Sequence, residues 1–360
     1  MSRSPEFAGA LVLTGGGTGG HYFPAVALAE GARLRWPELP IAFVGACRGI
    51  EARKLPESDW PHVLLDVEGL MGRSPMAMAR GLWKLRGARC ELIQRWRKDR
   101  PLAVVGTGGY GAAPALLAAR HLGIPMFLHE SNAAPGALIR WLAGSAQRVW
   151  LGMGEAASAL PKADCRVVGT PVREVFLRGF RPFESLEPPY QLLVMGGSGG
   201  ARPLNEAILA EAPELLERFP DWTLLHQAGP TESERLRDVP RHPRHTLVPF
   251  LEQMDAVMEA SSLVLSRSGA STCAELMACG RPAVLVPFPQ AAGDHQRVNA
   301  LAMAGQGRAE VVLQGQDLGL RLREVLGRLM GDGAARGRLC RPEPNRSVAH
   351  CLDDLAPWLP

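Results

Sequence analysis

The sequence predicts an α/β protein of two Rossmann-like domains in tandem, each a parallel sheet covered by helices. Three observations carry that expectation. Short, continuously apolar runs alternate with helical stretches, the pattern of a parallel sheet buried on both faces. A strand, glycine loop and helix open the chain over Leu11 to Arg35, and the same arrangement returns after residue 190. Between the two, Arg181 to Pro189 holds three prolines in nine residues, which neither a helix interior nor a central strand accommodates.

Composition bounds the reading. A chain of 360 residues suits two domains, and a hydrophobic fraction of 46% is that of an ordinary globular protein. The 40 glycines and 30 prolines fit many short loops. A net charge of +4 excludes nucleic-acid binding by overall charge. Seven cysteines, an odd number without any Cys-x-x-Cys pair, argue against a disulfide framework or a structural zinc site and for a reducing cytosol. Each is read as a small buried hydrophobe. No signal peptide is expected, since no apolar stretch follows a basic start. No run of about 18 apolar residues offers a membrane span. Met1 to Phe7 is expected to fray.

In chain order, the first domain is expected over 8–180. Strands are read at 10–13, 41–45, 63–67, 103–106, 125–130, 148–151 and 166–169. Helices are read at 25–35, 76–99 and 113–122. Residues 181–189 form the linker. The second domain is expected over 190–340, with strands at 192–195, 222–227, 245–250, 262–266 and 282–287. Its helices are read at 203–219, 271–279 and 318–340. Residues 341–360 form a short proline-flanked helix that can return to the first domain. In parallel sheets of this kind ligands sit beyond the carboxyl ends of the strands. The polar clusters 14–21, 106–111 and 129–132 all lie at such ends.

Each cluster admits a functional and a bland reading. The loop Thr14 to His21 presents bare backbone N–H groups, as phosphate cradles do, with His21 its one titratable side chain. At 269–275, Ser271 or Thr272 serves as an N-cap, with Glu275 closing a capping box from Thr272. Alternatively, the helix N-terminus holds a diphosphate and Glu275 accepts from ribose hydroxyls. Asp294-His295-Gln296 with Asn299 suits nucleotide or sugar hydroxyls, or is a helix start capped by Asp294. His129 and Glu130 are buried with local partners, or belong to a site. No second ligand pair and no Asp-x-Asp supports a metal, and no cofactor is implied. Over 71–100, nine basic residues face two acidic ones, a net +7, interleaved with Leu70, Met71, Met76, Met78, Leu82, Trp83 and Trp96. Arg73, Arg80, Lys84 and Arg86 lie among the basic ones. The stretch is either a membrane-surface element near anionic lipid or a solvated basic face over a packed stripe. No stacking-aromatic pattern supports nucleic acid.

Taken in order, Gly-Gly-Thr-Gly-Gly-His at 16–21, Gly-Gly-Tyr at 108–110, His-Glu-x-Asn at 129–132 and Gly-Thr-Pro-Val-Arg at 169–173 fill the first half. Gly-Gly-Ser-x-Gly-Ala at 196–201, Ser-Arg-Ser-Gly-Ala at 266–270 with Glu275, and Asp-His-Gln-x-x-Asn-Ala at 294–300 fill the second. From about Leu11 to Ala300 the chain resembles the MurG family of bacterial transferases. The resemblance implies a GT-B glycosyltransferase fold. It implies inverting, metal-free transfer of N-acetylglucosamine from UDP-N-acetylglucosamine to the 4-hydroxyl of the muramoyl sugar of lipid I. The product would be lipid II for peptidoglycan, hence for the cell wall, cell shape and division. It places the protein peripherally on the cytoplasmic face of the cell membrane, beside other cell-wall synthesis proteins.

Matching motifs carry the family's site residues over. Donor contacts fall on Thr18, Gly19, Gly20, Asn132, Arg173, Ser198 and Leu251. They continue on Ala270, Ser271, Thr272, Cys273, Ala274, Glu275, His295 and Gln296, with Glu275 holding the ribose. His21 is the candidate general base. Gly16, Gly17, Gly108, Gly109, Tyr110 and His129 fall on the acceptor side, and Met76, Arg80, Leu82, Trp83, Lys84 and Arg86 on the membrane face. Ser131 and Gly199 stand where the family commonly has Gln, and the family varies at His295. With a better nucleotide site in the second domain, the first glycine loop is left to the acceptor's diphosphate and the transferred sugar. The alternatives are a UDP-sugar epimerase or another glycolipid transferase on the same fold, or a non-catalytic membrane-recruited subunit. A dehydrogenase is disfavoured by the form of the opening loop.

Overall fold

The computed structural model describes residues 7–69 and 74–360, without the side chain of Ala292. Leu70, Met71 and Arg73 of the basic stretch, and Met1 to Glu6, lie outside the described residues. The chain divides into two units, the first ending at Glu174 and resuming at Asn345, the second running from Val175 to Pro344.

The first unit runs β1 (Leu11–Thr14), α1 (Gly19–Arg35), β2 (Ile41–Ala46), α2 (Glu51–Lys54), β3 (His62–Leu65) and α3 (Pro75–Lys98). It continues with β4 (Ala103–Gly106), α4 (Ala113–Leu122), β5 (Met126–Glu130), α5 (Ala137–Leu142), β6 (Arg148–Leu151) and β7 (Cys165–Val167). Among the described residues all seven strands are parallel, in the order β3-β2-β1-β4-β5-β6-β7. β1, β2 and β4 are buried along their whole length, which is why they read as unbroken apolar runs. Thr14 pairs with Gly106 at the ends of β1 and β4, so two glycine loops leave the sheet side by side where the strand order reverses.

Helix α1 begins at Gly19, earlier than the expected Ala25, and Pro24 lies inside it. As the sixth residue of the helix, Pro24 gives no N–H to the ladder. His21 therefore stands on the first turn and not ahead of it. Helix α3 is capped by Ser74, whose Oγ accepts from Ala77 N–H at 3.4 Å.

The second unit runs β8 (Tyr190–Met195), α6 (Arg202–Arg218), β9 (Trp222–Gln227), α7 (Pro230–Arg235), β10 (His245–Val248) and α8 (Met254–Ala260). Then come β11 (Leu263–Ser266), α9 (Ala270–Cys279), β12 (Ala283–Leu285), α10 (His295–Gly305), β13 (Ala309–Val311), α11 (Leu318–Gly331) and α12 (Gly333–Leu339). Its six parallel strands follow the order β10-β9-β8-β11-β12-β13, the first sheet's order repeated from its own first strand. The expected single helix over 318–340 is two. Asp332 interrupts it with extended backbone and caps α12 by accepting from Ala335 N–H at 2.9 Å. β13 went unread because it is three residues long and carries Glu310. The proline-rich stretch belongs to this unit. The Arg181 carbonyl accepts from the buried Arg281 guanidinium at 3.0 Å, and Arg181 N–H donates to Glu259 at 3.1 Å.

The chain then returns to the first unit as α13 (Ser347–Leu355). Val348 lies against Gly31 of α1, where a Cβ would come within 2.3 Å of it. Asp354 accepts from Trp150 Nε1 at 2.8 Å and from Arg166 at 2.7 Å. Among the described residues no helix is long and apolar enough to cross a membrane.

Candidate active-site loops of the two units

In the first unit, Thr107 clasps the opening loop. Its N–H donates to the Thr14 carbonyl at 2.9 Å, and its hydroxyl donates to the His21 carbonyl at 2.6 Å. Its own carbonyl lies 2.9 Å from His21 Nδ1. A carbonyl can only accept, so Nδ1 carries the proton and Nε2 is the basic nitrogen of the neutral ring. Gly109, at φ 79°, approaches so closely that a Cβ would lie 2.0 Å from the Gly16 carbonyl. No other residue fits there.

The residues expected at a site in this unit divide. Thr18 and Gly20, expected on the donor side, are exposed, whereas Gly16 and Gly108, expected on the acceptor side, are buried. Tyr110 lies against Gly17. His129 is wholly buried. Its Nε2 donates to the Gly169 carbonyl at 3.0 Å, and its Nδ1 lies 3.3 Å from Ser131 Oγ. Burial holds its pKa below the ordinary histidine value. His129 thus supports the end of β5 from beneath and does not line an open surface. Glu130 is buried too, accepting from Asn132 N–H at 2.9 Å, Asn132 Nδ2 at 3.0 Å and Gly136 N–H at 2.9 Å. It fixes Asn132 and the start of α5. Arg173 stacks on Phe23 of α1, 4.3 Å from the ring centre.

In the second unit, Met195 pairs with Ser266, so the loop Gly196 to Gly200 and the entry to α9 leave the sheet at one level. Gly200, at φ 77°, would place a Cβ 1.8 Å from the Ala228 carbonyl. Helix α9 is entered through Gly269, with no side-chain cap and no acidic residue in its first turn. Ser271 and Thr272 lie inside the helix, so the expected capping box is absent. Cys273, Ala274 and Glu275 are buried, while Ala270, Ser271 and Thr272 are half-buried. An uncapped N-terminus with its dipole is a ready anion site.

Arg267 is buried behind this terminus. It donates to the carbonyls of Val286 at 3.0 Å and Pro287 at 3.1 Å and to Gln314 at 2.7 Å. Burial lowers its pKa to about 10. Gln296 Oε1 accepts from Phe288 N–H at 3.0 Å, and the Gln296 carbonyl accepts from Ser268 Oγ at 2.8 Å. Asn299 Nδ2 donates to the Ser268 carbonyl at 3.0 Å. Asp294 has a left-handed backbone and makes no side-chain cap, contrary to its reading as cap. His295 and Leu251 are half-buried, and Ser198 is half-buried in the glycine loop.

Residues 11–151 match the N-terminal domain model of glycosyltransferase family 28, and residues 191–337 match its C-terminal domain model. The chain is 43% identical over 313 residues to the UDP-N-acetylglucosamine–N-acetylmuramyl-(pentapeptide) pyrophosphoryl-undecaprenol N-acetylglucosamine transferase of Syntrophotalea carbinolica, covering 84% of this chain and 85% of that relative. The chain belongs to the MurG family. The enzyme of the same name from Myxococcus xanthus is 33% identical, covering 96% of this chain and 92% of that one. Among solved structures, Acinetobacter baumannii MurG is similar with a TM-score of 0.65 at 26% identity, over 96% of this chain and 98% of that one. A putative UDP-N-acetylglucosamine 2-epimerase from Listeria monocytogenes has a TM-score of 0.68 at 15% identity, covering 96% of this chain and 95% of that one. That second likeness is one of fold. The two parallel sheets of this MurG-family chain are those of a GT-B hexosyltransferase.

Three groups escaped the reading of the sequence. Arg267 sits within a recognised motif but was given no role. Glu51 opens a four-residue helix too short to carry a periodic signal. Asn205, His226 and His245 lie on separate elements, and only the strand order brings them together.

Proposed function

We propose that the chain moves N-acetylglucosamine from UDP-N-acetylglucosamine to the 4-hydroxyl of the muramoyl sugar of lipid I, with inversion, releasing lipid II and UDP. Membership of the MurG family supports the substrates. The observation that carries the chemistry is the hydrogen bond from His21 Nδ1 to the Thr107 carbonyl at 2.9 Å, which leaves Nε2 as the base. His21 Nε2 takes the hydroxyl proton as the oxygen attacks the anomeric carbon. The bond from that carbon to the UDP oxygen breaks, and its electron pair leaves with UDP. The glycine loop of the second unit and the uncapped start of α9 are suited to the departing diphosphate. Ser198, the 270–275 stretch and Gln296 are the donor-side residues of that reading in the second unit. Incubation with radiolabelled UDP-N-acetylglucosamine and a lipid I analogue tests it. Labelled lipid product is expected. Intact UDP binding without product would sink the proposal, and a new UDP-sugar formed from donor alone would favour an epimerase.

The same reading places the protein peripherally on the cytoplasmic face of the cell membrane through the first half of α3. Met76 is 85% exposed and Trp83 76%, with Met78 and Leu82 also exposed, while Leu92, Ile93 and Trp96 bury the second half. Arg80 and Arg86 are exposed. Lys84 and Arg80 are partly answered by acidic neighbours, Lys84 with Asp66 at 3.0 Å and Arg80 with Glu68 at 3.6 Å. Exposed apolar side chains interleaved with cations suit an anionic lipid surface. Sedimentation with anionic liposomes should fall steeply with salt and further on Met76→Ser with Trp83→Ser. Binding indifferent to salt and lipid charge would refute the membrane face.

A further inference from the structure

Glu51, the first residue of α2, is wholly buried behind the β1–α1 loop. Among the described residues only backbone N–H groups meet its carboxylate. Gly17 N–H donates to its two oxygens at 2.9 and 2.8 Å, and Ala46 N–H donates at 3.4 Å. Four glycines converge on this side chain. A Cβ on Gly16 would lie 2.1 Å from Oε1, and one on Gly111 2.9 Å from the same atom. A Cβ on Gly49 would lie 2.9 Å from Oε2, and one on Gly45 2.9 Å from Cγ. These glycines come from β2 and from the segments that follow β1, β2 and β4. The Glu51 side chain therefore crowds out a Cβ at Gly16, Gly45 and Gly111, and at Gly49 it adds to what a φ of 92° already requires. Burying a carboxyl without a cationic partner is costly, and burial, the largest influence on it, raises its pKa.

A continuous path leads from Glu51 to His21. Gly17 is held between the Glu51 carboxylate and the Tyr110 ring, which a Cβ at that position would meet at 2.6 Å. The next residue, Thr18, stands just ahead of α1 in extended backbone. Its carbonyl accepts from His21 N–H at 3.2 Å and Tyr22 N–H at 3.1 Å. Gly16 N–H donates to the Gly108 carbonyl at 3.3 Å, and Gly108 lies against the His21 ring.

We propose that Glu51 is a positioning residue for the transfer: its buried carboxylate fixes the β1–α1 loop, and through Gly17 and Thr18 it sets the place of His21 Nε2. Glu51 touches no reacting atom in this scheme. The inference rests on the reading of His21 as the base.

The test compares the wild type, His21→Ala, Glu51→Gln and Glu51→Ala. The readouts are kcat per active site, both KM values, UDP affinity and amide hydrogen exchange over residues 15–22. Normal turnover by His21→Ala would remove the underlying reading, and the Glu51 variants are judged apart from it. Glu51→Ala should lower kcat about 10²-fold, the loss that a displacement near 1 Å produces. Glu51→Gln retains one oxygen acceptor and should lose about tenfold. UDP affinity should hold, and exchange over 15–22 should rise while the second unit stays protected. A glutamate that only stabilises the fold would lower the melting temperature and the active fraction, leaving kcat per active site intact. That result, or unaltered exchange over 15–22 beside a lowered kcat, overturns the proposal. If Glu51→Ala does not fold, Glu51→Gln carries the comparison alone.

Discussion

The two glycine loops leave equivalent strands of two sheets with the same strand order, yet they are backed by different chemistry. Behind the first lies Glu51, an ionisable group that draws Gly17 N–H inward. Behind the second lies a neutral chain. His245 Nε2 lies 3.3 Å from His226 Nδ1, His226 Nε2 lies 3.0 Å from Asn205 Oδ1, and Asn205 Nδ2 donates to the Ala228 carbonyl at 3.0 Å. That carbonyl is the one Gly200 rests on. Gly197 and Gly199 have open space where a Cβ would be. The first loop is thus pinned from behind by a carboxyl. The second is left open at Gly197 and Gly199. A pinned loop suits the placing of a base, and an open one suits a diphosphate. One scaffold, used twice, is fitted to two tasks by the residue behind the turn.

The largest expected effect breaks the comparison at the first loop. His21→Ala should reduce turnover by about 10²–10⁴-fold while UDP affinity, measured by calorimetry, stays within about twofold. Near-normal turnover rules His21 out as the base, and a parallel loss of UDP affinity would put the nucleotide on the first loop. A smaller effect is expected at the second. Gly200→Ala combines a left-handed backbone with a Cβ 1.8 Å from the Ala228 carbonyl, so the loop must shift and UDP affinity should drop about tenfold or more. Gly199→Ala enters open space and should leave affinity within about twofold. Equal affinities for the two variants would mean that this loop does not cradle the nucleotide.

The fold was largely legible because parallel strands buried on both faces are written as apolar runs. Leu11 to Leu13 and Leu263 to Leu265 could hardly be anything else. Helix starts were less legible. Ser271 and Thr272 have the composition of a cap, yet Gly269 takes that position, because the backbone turn after β11 sets where α9 begins. The site was legible where a motif gathers its residues in one stretch, as at 16–21. It was illegible where partners meet only through topology. Glu51 finds Gly17 across 34 residues and His226 finds Asn205 across 21, and a linear pattern announces neither.

The smallest expected effect sharpens the contrast through pH. Burial, with the nearness of His245 and Arg241, holds His226 down to about 3, and burial with Arg241 and His242 holds His245 down to about 4, against an ordinary 6.5. Unfolded, each takes up a proton near pH 6.5. Folded, neither does until pH approaches 4. Between those values the unfolded chain binds more protons, so stability is full above pH 6.5 and falls as pH drops. The slope is at most about 1.4 kcal/mol per pH unit for each histidine, and His129 of the first unit adds in the same sense. Glu51 acts oppositely. Its carboxyl is raised in the fold, so its contribution is full below the ordinary carboxylate pKa of 4.5 and is lost as pH rises through the folded value. Urea melts between pH 7.5 and 5 should therefore steepen towards acid, and His226→Gln should flatten that dependence while lowering stability at pH 7.5. Glu51→Gln should leave the acid loss in place. An unchanged pH slope in His226→Gln would mean that the pair behind the second loop is not what acid attacks.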